Sequence, residues 1–171
     1  MRGSVVVLSL LLARGAVAQQ EAPPAADSAR VESTPVAPLE SPAQMHYRQG
    51  LRTVGRGIAQ LKDGLDHVAS AGHDTLRLRQ AGQRLAGLCG AADGFLARGR
   101  VRMVATAYDD STGIKARRLT TQIDSLVRFI PTCEATGAKQ PVSTAGTLLN
   151  KIKAYEAALR DYRAAIGLPN H

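Results

Sequence analysis

Apolar residues recur at alternating steps of three and four along most of the chain. This spacing places them on one side of an α-helix, and a sustained alternation of this kind is typical of a coiled-coil heptad. The first run comprises Tyr47, Leu51, Val54, Ile58, Leu61, Leu65 and Val68, and the second comprises Leu78, Ala81, Leu85, Leu88, Ala92 and Phe95. The third comprises Ala116, Leu119, Ile123, Leu126 and Ile130, and the fourth comprises Leu148, Ile152, Tyr155, Leu159, Tyr162 and Ile166. The pattern therefore predicts four amphipathic helices.

Capping residues delimit these runs. Ser41 is a suitable cap for the first helix, Pro42 suits its first position, and Gln44 completes a capping box. Gly72 predicts the end of that helix and Asp74 the cap of the second. The second helix is expected to continue through Val101 and Val104 to Tyr108, followed by a turn at 109–113 (DDSTG). The third helix is expected to kink or end at Pro131, and a loop is predicted over 134–143. Ser143 or Thr144 is the expected cap of the fourth helix, which should end at Gly167 and Pro169.

Four such helices joined by short turns predict an all-α, antiparallel four-helix up-and-down bundle. No stretch alternates with a period of two for long enough to form a strand. Gly50, Gly57 and Gly64 repeat every seven residues beside the first run. They indicate either close approach of a neighbouring helix or a merely glycine-rich composition. Each glycine lowers the stability of the helix by about 1 kcal/mol relative to alanine.

The N-terminus is typical of a secretory signal peptide. Arg2 is followed by an apolar run over 5–12, and the small residues before Gln19 predict cleavage after Ala18. We therefore expect a signal peptide over 1–18 and a periplasmic or secreted location, with an uncleaved interfacial anchor as the alternative. The apolar run falls well short of the roughly 20 residues that cross a bilayer, and no other segment comes closer, so no transmembrane span is expected in the mature chain.

Residues 19–42 differ in composition from the rest of the chain. They are rich in Pro, Ala, Ser and Glu and contain five of the eight prolines. Such a segment buries too little apolar surface to offset its ordering entropy, so it is predicted to be a disordered linker. The helical-bundle domain is then expected to occupy 43–171.

The chain has two cysteines, Cys89 and Cys133. In an antiparallel helix pair, residues that face each other are equidistant from the turn, and the midpoint of these two positions is Ser111, the centre of the predicted turn. Together with export to an oxidising compartment, this register predicts a disulfide. A redox-catalytic role is disfavoured because no C-x-x-C motif is present.

The formal charge is +8, with 22 basic and 14 acidic side chains, and residues 45–171 alone carry +9. Basic residues flank the predicted turn between the second and third helices, and we call this set the basic tip: Arg98, Arg100, Arg102, Lys115, Arg117 and Arg118. The basic tip is a candidate anion-binding site, with a merely solvated helix face as the alternative. Nucleic acid is a disfavoured partner because the aromatic residues lie mostly in the apolar runs and leave no stacking platform.

Catalytic and cofactor motifs are absent from the sequence. It contains no C-x-x-C-H, G-x-S-x-G or H-E-x-x-H motif, so we expect neither an enzyme nor a bound cofactor. Asp63 and His67 share one helical face, and His73 and Asp74 follow shortly after them. These four residues suit a small metal or acid–base site. The alternative is that Asp63 and His67 form an ion pair and Asp74 caps a helix.

These features predict a secreted or periplasmic helical bundle with a binding or chaperone-like role and no enzymatic activity. The expected partner is another protein or an anionic envelope component, and homodimerisation is left open because the apolar runs are narrow. The alternative function is a bundle that holds a small ligand or cofactor between its helices.

Overall fold

The computed structural model describes residues 40–169, which form four α-helices and contain no strand. The helices are α1 (Pro42–Ala71), α2 (Thr75–Val101), α3 (Asp110–Gly137) and α4 (Pro141–Ala165), with a short 3-10 helix at Ala105–Ala107. The all-helical class is therefore confirmed. The expected signal peptide, its cleavage site at Ala18 and Gln19, and the linker up to residue 39 lie outside the described residues.

The ends of α1 and the start of α2 follow the capping prediction. The Ser41 hydroxyl accepts a hydrogen bond from the Gln44 backbone N–H at 3.2 Å, and the Gln44 side chain accepts one from the Ser41 N–H at 2.9 Å. Gly72 follows the last residue of α1 with a φ of 57°, which favours glycine. Asp74 then caps α2 by accepting two backbone N–H hydrogen bonds, at 2.9 and 3.0 Å.

The connection between α2 and α3 differs from the prediction. α2 ends at Val101 instead of Tyr108, and Asp109 is the N-cap of α3, so the expected turn at 109–113 is wrong. The short polar residues that favour turns are equally suited to the start of a helix, which explains the misplacement. The apolar pattern was also extended over Val101 and Val104, which the fold leaves 78% and 58% exposed.

The connection between α3 and α4 is shorter than expected. α3 continues through Pro131 to Gly137, and α4 begins at Pro141, so neither the loop over 134–143 nor a cap at Ser143 or Thr144 is correct. Pro131 is exposed, so water can reach the carbonyl that its ring leaves without a helical N–H partner. The C-terminal boundary agrees with the prediction, because α4 is followed by Gly167 with a φ of 70°.

Consecutive helices run antiparallel, as their cross-helix pairs show. The pairs are Gly50 with Gly99 and Gly64 with Leu85 between α1 and α2, Cys89 with Cys133 and Arg100 with Asp124 between α2 and α3, and Thr136 with Thr144 and Arg118 with Asp161 between α3 and α4. In each helix pair, the contact moves toward the start of one helix as it moves toward the end of the other. The start of α1, the end of α2, the start of α3 and the end of α4 therefore share one end of the bundle.

The four apolar runs form the core, as predicted. Tyr47, Val54 and Leu61 of α1 are fully buried, whereas Leu51 and Leu65 pack against the core from half-buried positions. The runs of α3 and α4 follow the same plan. Buried residues outside the predicted runs include Cys89, Leu96, Met103 and Cys133.

The glycines of α1 lie in the interface with α2. A Cβ atom added at Gly50 would lie 2.5 Å from the carbonyl oxygen of Gly99, and one added at Gly64 would lie 2.8 Å from a methyl group of Leu85. Gly57 is similarly confined, with the Ala92 carbonyl oxygen 3.2 Å from such an atom. Of the two interpretations of the heptad glycines, the structure supports close helix approach.

The disulfide between Cys89 and Cys133 is present and joins α2 to α3. Both cysteines are fully buried, and their Cα atoms are 6.0 Å apart. Ser111 nevertheless lies in the first turn of α3 and not at the centre of a turn. The packed parts of the two helices determine which residues face each other. The connection between the helices comes earlier in the sequence than the midpoint at Ser111, because α3 extends beyond the end of α2.

Candidate functional site

The basic tip lies at the end of the bundle where α2 ends and α3 begins. Three of its six residues interact with neighbouring side chains. Arg100 forms a bidentate ion pair with Asp124 at 2.6 and 3.0 Å, Arg118 pairs with Asp161 at 2.9 Å, and the guanidinium of Arg98 lies 5.3 Å from the centre of a phenylalanine ring. These side chains link helices or cover apolar surface.

The other three residues of the basic tip have no ion-pair partner among the side chains that the structure describes. Arg102 and Arg117 are exposed, and Lys115 is half-buried. The exposed positive charge at this point therefore comes mainly from Arg102, Arg117 and Arg98, which is exposed and contacts an aromatic ring but has no ion-pair partner among the described residues.

Four further cations at the same end were not singled out from the sequence: Arg48 and Arg52 of α1, and Arg160 and Arg163 of α4. We call these four residues the groove rim. Arg48 forms an ion pair with Glu40, whereas Arg52 and Arg160 are exposed and have no ion-pair partner within the described part of the chain. The spacing of Arg48, Arg52 and Arg56 by four residues puts them on one helical face, and this was the signal available in the sequence.

The groove rim borders a furrow between α1 and α4, which we call the α1–α4 groove. It consists of two adjoining clefts of about 500 and 280 Å³ that share Gly55, Tyr155, Leu159 and Arg163. Its apolar lining is completed by Leu51, Ile58, Ile166 and Leu168. The groove thus combines an apolar floor with guanidinium groups along its edges.

A third cleft lies farther along the same seam, near the end of α1 and the start of α4. We call it the apolar cleft; it has a volume of about 630 Å³ and is lined by Leu65, Asp66, Val68, Ala69, Gly72, His73, Leu78, Val142, Ala145, Gly146 and Leu149. An ion pair between Lys62 and Glu156, which both line the larger cleft of the groove, joins α1 to α4.

The chain matches no family model, no curated protein and no solved structure. The assignment of a site therefore depends on the geometry and chemistry of the residues themselves.

Of the two interpretations of Asp63 and His67, the structure supports the ion pair with a neighbouring helix cap over the metal or acid–base site. Asp63 lies 3.4 Å from the His67 ring and 3.1 Å from a guanidinium nitrogen of Arg84, while Asp74 caps α2. Within residues 40–169, no three His, Cys, Asp or Glu side chains are close enough together to hold a metal ion. None of the helices in that range is long and apolar enough to cross a membrane.

Three tyrosines pack together beneath the groove rim. The rings of Tyr47, Tyr108 and Tyr162 have centroids 5.2 to 5.6 Å apart, and the hydroxyl groups of Tyr108 and Tyr162 are hydrogen-bonded. The Tyr47 hydroxyl donates to the backbone carbonyl of Ala116 at 3.0 Å. Tyr108 belongs to the connection that follows α2, so this cluster occupies the space beyond the end of that helix.

Burial raises the pKa of each of these phenols. Burial also raises the pKa of Tyr155, in the floor of the groove, to about 12. Because a raised folded-state pKa favours the neutral phenol, these groups contribute full stability below the unfolded-state pKa of about 10. That contribution is lost as the pH rises from about 10 through the folded-state values.

We therefore expect alkaline unfolding with delayed tyrosine ionisation. During an alkaline titration, the phenolate absorbance of the four tyrosines should appear above pH 10, together with the loss of the helical circular dichroism signal. In concentrated urea the same groups should ionise near pH 10. Ionisation of all four near pH 10 with the helices intact would show that the phenols are not held neutral by the fold.

Proposed function

We propose that this chain is an exported, non-enzymatic binding module that attaches to an anionic envelope component through the basic end of its helical bundle. The observation that carries the proposal is the collection of cations from all four helices at that one end. The groove rim supplies those of α1 and α4, and the basic tip supplies those of α2 and α3.

The charge at this end is not neutralised locally. Glu40, Asp124 and Asp161 each already pair with an arginine. The exposed guanidinium groups of Arg102 and Arg117 remain beyond these pairs, as do those of Arg52 and Arg160 in the groove rim. Such an excess raises the local potential and attracts a polyanionic surface.

Export is part of the proposal and rests on the signal-peptide pattern over 1–18, with cleavage between Ala18 and Gln19. The buried disulfide supports it, since structural disulfides persist mainly in oxidising compartments. In this proposal, the linker predicted over 19–42, whose last residue Pro42 begins α1, connects the processed N-terminus to an up-and-down bundle, and the mature protein resides in the periplasm or outside the cell.

A second candidate function is small-ligand binding between helices. It is favoured by one observation, the larger cleft of the α1–α4 groove, because its volume of about 500 Å³ falls in the range of roughly 300–1,000 Å³ that is usual for small-molecule sites. Arginines of the groove rim take part in both functions, which differ in whether the ligand lies on the surface or enters the groove.

Vesicle binding tests the first proposal. The purified protein should co-sediment with vesicles that contain phosphatidylglycerol and not with vesicles of phosphatidylcholine alone, and added salt should weaken the binding. The double variant Arg102→Glu/Arg117→Glu should bind at least about tenfold more weakly, since each basic side chain near an anionic surface is worth about 1 kcal/mol.

The matched control reverses two exposed charges at the opposite end of the bundle. The double variant Arg79→Glu/Lys139→Glu has the same net charge as the test variant but leaves the basic tip intact. It should retain most of the vesicle affinity. Equal losses in the two double variants would mean that net charge alone governs binding, and the proposal of a binding end would then be wrong.

A further inference from the structure

We infer that the α1–α4 groove binds a long-chain carboxylate, with the hydrocarbon chain on its apolar floor and the carboxylate at Arg52 and Arg160. This inference rests on the proposed function, in that it names the anionic ligand and places part of it inside the molecule. It adds that the ligand must have a hydrocarbon chain, which binding to surface charge alone would not require.

The dimensions of the groove favour a slender ligand. Its two clefts of about 500 and 280 Å³ meet at Gly55 and share one wall of α4. An α-helix with its side chains is about 10–12 Å across, so a helix filling this combined volume would be fewer than about two turns long. A single hydrocarbon chain fits the same space along its length, which favours a small amphiphile over a partner helix.

The chemistry of the lining matches the two parts of an amphiphile. The floor presents Leu51, Ile58 and Leu159, whose apolar surface is partly or largely buried. At the edges, Arg52 and Arg160 are exposed and have no ion-pair partner among the described residues. A guanidinium group presents two parallel N–H donors that match the two oxygens of a carboxylate, so an anionic head group beside an apolar chain is the complementary ligand.

Charge also disfavours two other arrangements. A symmetric dimer formed through this face would place the arginines of the groove rim opposite the same residues of a second copy, and like charges facing each other across an interface are unfavourable. In the apolar cleft at the far end of the seam, Asp66 has no ion-pair partner among the described residues and would repel a carboxylate, whereas Glu156, which lines the groove, is paired with Lys62. The groove is therefore the better site for an anion with a hydrocarbon chain.

Two exposed glycines allow each cleft to be blocked separately. A Cβ atom added at Gly55 would meet nothing within 4 Å, although Gly55 lines both clefts of the groove. Gly146 has the same free space and lines the apolar cleft, whereas Gly87 has free space and lines none of the clefts described above. Phenylalanine at each position therefore gives three variants with the same substitution, of which only Gly55→Phe fills the groove.

The test is titration calorimetry of the purified protein with laurate below its micelle concentration. We expect saturable binding of one laurate per chain, accompanied by a change in tyrosine fluorescence, because Tyr155 lies in the groove and the chain has no tryptophan. Gly55→Phe should weaken the affinity at least about tenfold, while Gly87→Phe and Gly146→Phe should bind like the wild type. Circular dichroism and thermal melting show that each variant is folded.

Head-group recognition is tested separately, which also covers the case in which Gly55→Phe fails to fold. Dodecyltrimethylammonium has the same chain length as laurate but a cationic head, and it should bind at least about tenfold more weakly. The double variant Arg52→Gln/Arg160→Gln should lose laurate affinity by a similar factor. Light scattering should give a monomer that remains a monomer when laurate is added.

Four results would overturn the inference, of which three concern amphiphile binding. They are unchanged laurate binding by folded Gly55→Phe, a larger loss in Gly146→Phe than in Gly55→Phe, or equal binding of the cationic and anionic amphiphiles. A dimer that dissociates in Gly55→Phe would also overturn it, since a second copy would then occupy the groove. Because Gly55→Phe leaves every charge in place, its binding to anionic vesicles reports on the proposed function independently of the groove.

Discussion

Removing the Cys89–Cys133 disulfide is expected to lower the free energy of unfolding by about 4 kcal/mol, the largest effect of any change considered. The two cysteines are 44 positions apart, so the cross-link closes a long loop and restricts the unfolded chain. In the folded protein both are fully buried between α2 and α3, where loss of the bridge also loses packing. The measurement is urea unfolding of Cys89→Ala/Cys133→Ala, followed by circular dichroism.

The same comparison separates the cross-link from the packing. Wild-type protein refolded under a thiol reductant keeps both sulfur atoms but lacks the bond, so its stability should lie between those of the oxidised protein and the double variant. A double variant within about 1 kcal/mol of the oxidised wild type would contradict the expected loop-closure effect.

Replacing Gly99 by alanine is expected to lower the free energy of unfolding by about 2 kcal/mol or more, although alanine is the better helix former. A Cβ atom at this position would lie 2.7 Å from the carbonyl oxygen of Gly50 and 2.8 Å from the backbone nitrogen of Val54. Backbone atoms cannot turn aside as a flexible side chain can, so α1 and α2 would have to move apart along their interface. Urea unfolding followed by circular dichroism measures the loss.

Two other glycines provide matched controls for that substitution. Gly55 and Gly87 also lie inside helices, but a Cβ atom at either would meet nothing within 4 Å. Alanine at these positions should therefore raise the free energy of unfolding by up to about 1 kcal/mol each. If Gly99→Ala were instead stabilising to the same degree as the controls, the close approach of α1 and α2 would not be a property of the folded protein in solution.

Much of the helical framework was accessible from local sequence signals. The capping box of Ser41 and Gln44 and the cap at Asp74 are formed by residues within a few positions of each other, so the sequence contains all the participants. The apolar runs predicted the core because helical periodicity alone determines which residues share a face. The cysteine pair required only the direction of two neighbouring helices.

The errors arose where one local pattern permits two structures. The polar stretch 109–113 suits a turn and a helix start equally. The folded chain forms the helix there, because the first turns of α3 lie beyond the end of α2 and contact α1 through Tyr47 and Ala116. Pro131 lies within α3 because it is on the exposed face, a fact that depends on the tertiary structure.

The α1–α4 groove could not be predicted for a different reason. Its walls are about 100 positions apart in sequence, as Gly55 and Tyr155 illustrate. Helical periodicity does not predict the distance between two helices that are not consecutive in the chain. The spacing of Arg48, Arg52 and Arg56 gave the charged face of α1, but it could not show that the arginines of α4 lie across from it.

The position of the cross-link divides the bundle mechanically. The disulfide and the tightly packed glycines connect α1, α2 and α3 into a stiff three-helix framework, whereas α4 is joined to it by three residues, 138–140, and by non-covalent contacts. Local opening follows the weakest contacts first, so α4 is the helix expected to swing outward while the other three stay in register. Amide hydrogens of α4 should then exchange faster than those of α2, and widening of the α1–α4 seam would require no covalent bond to break.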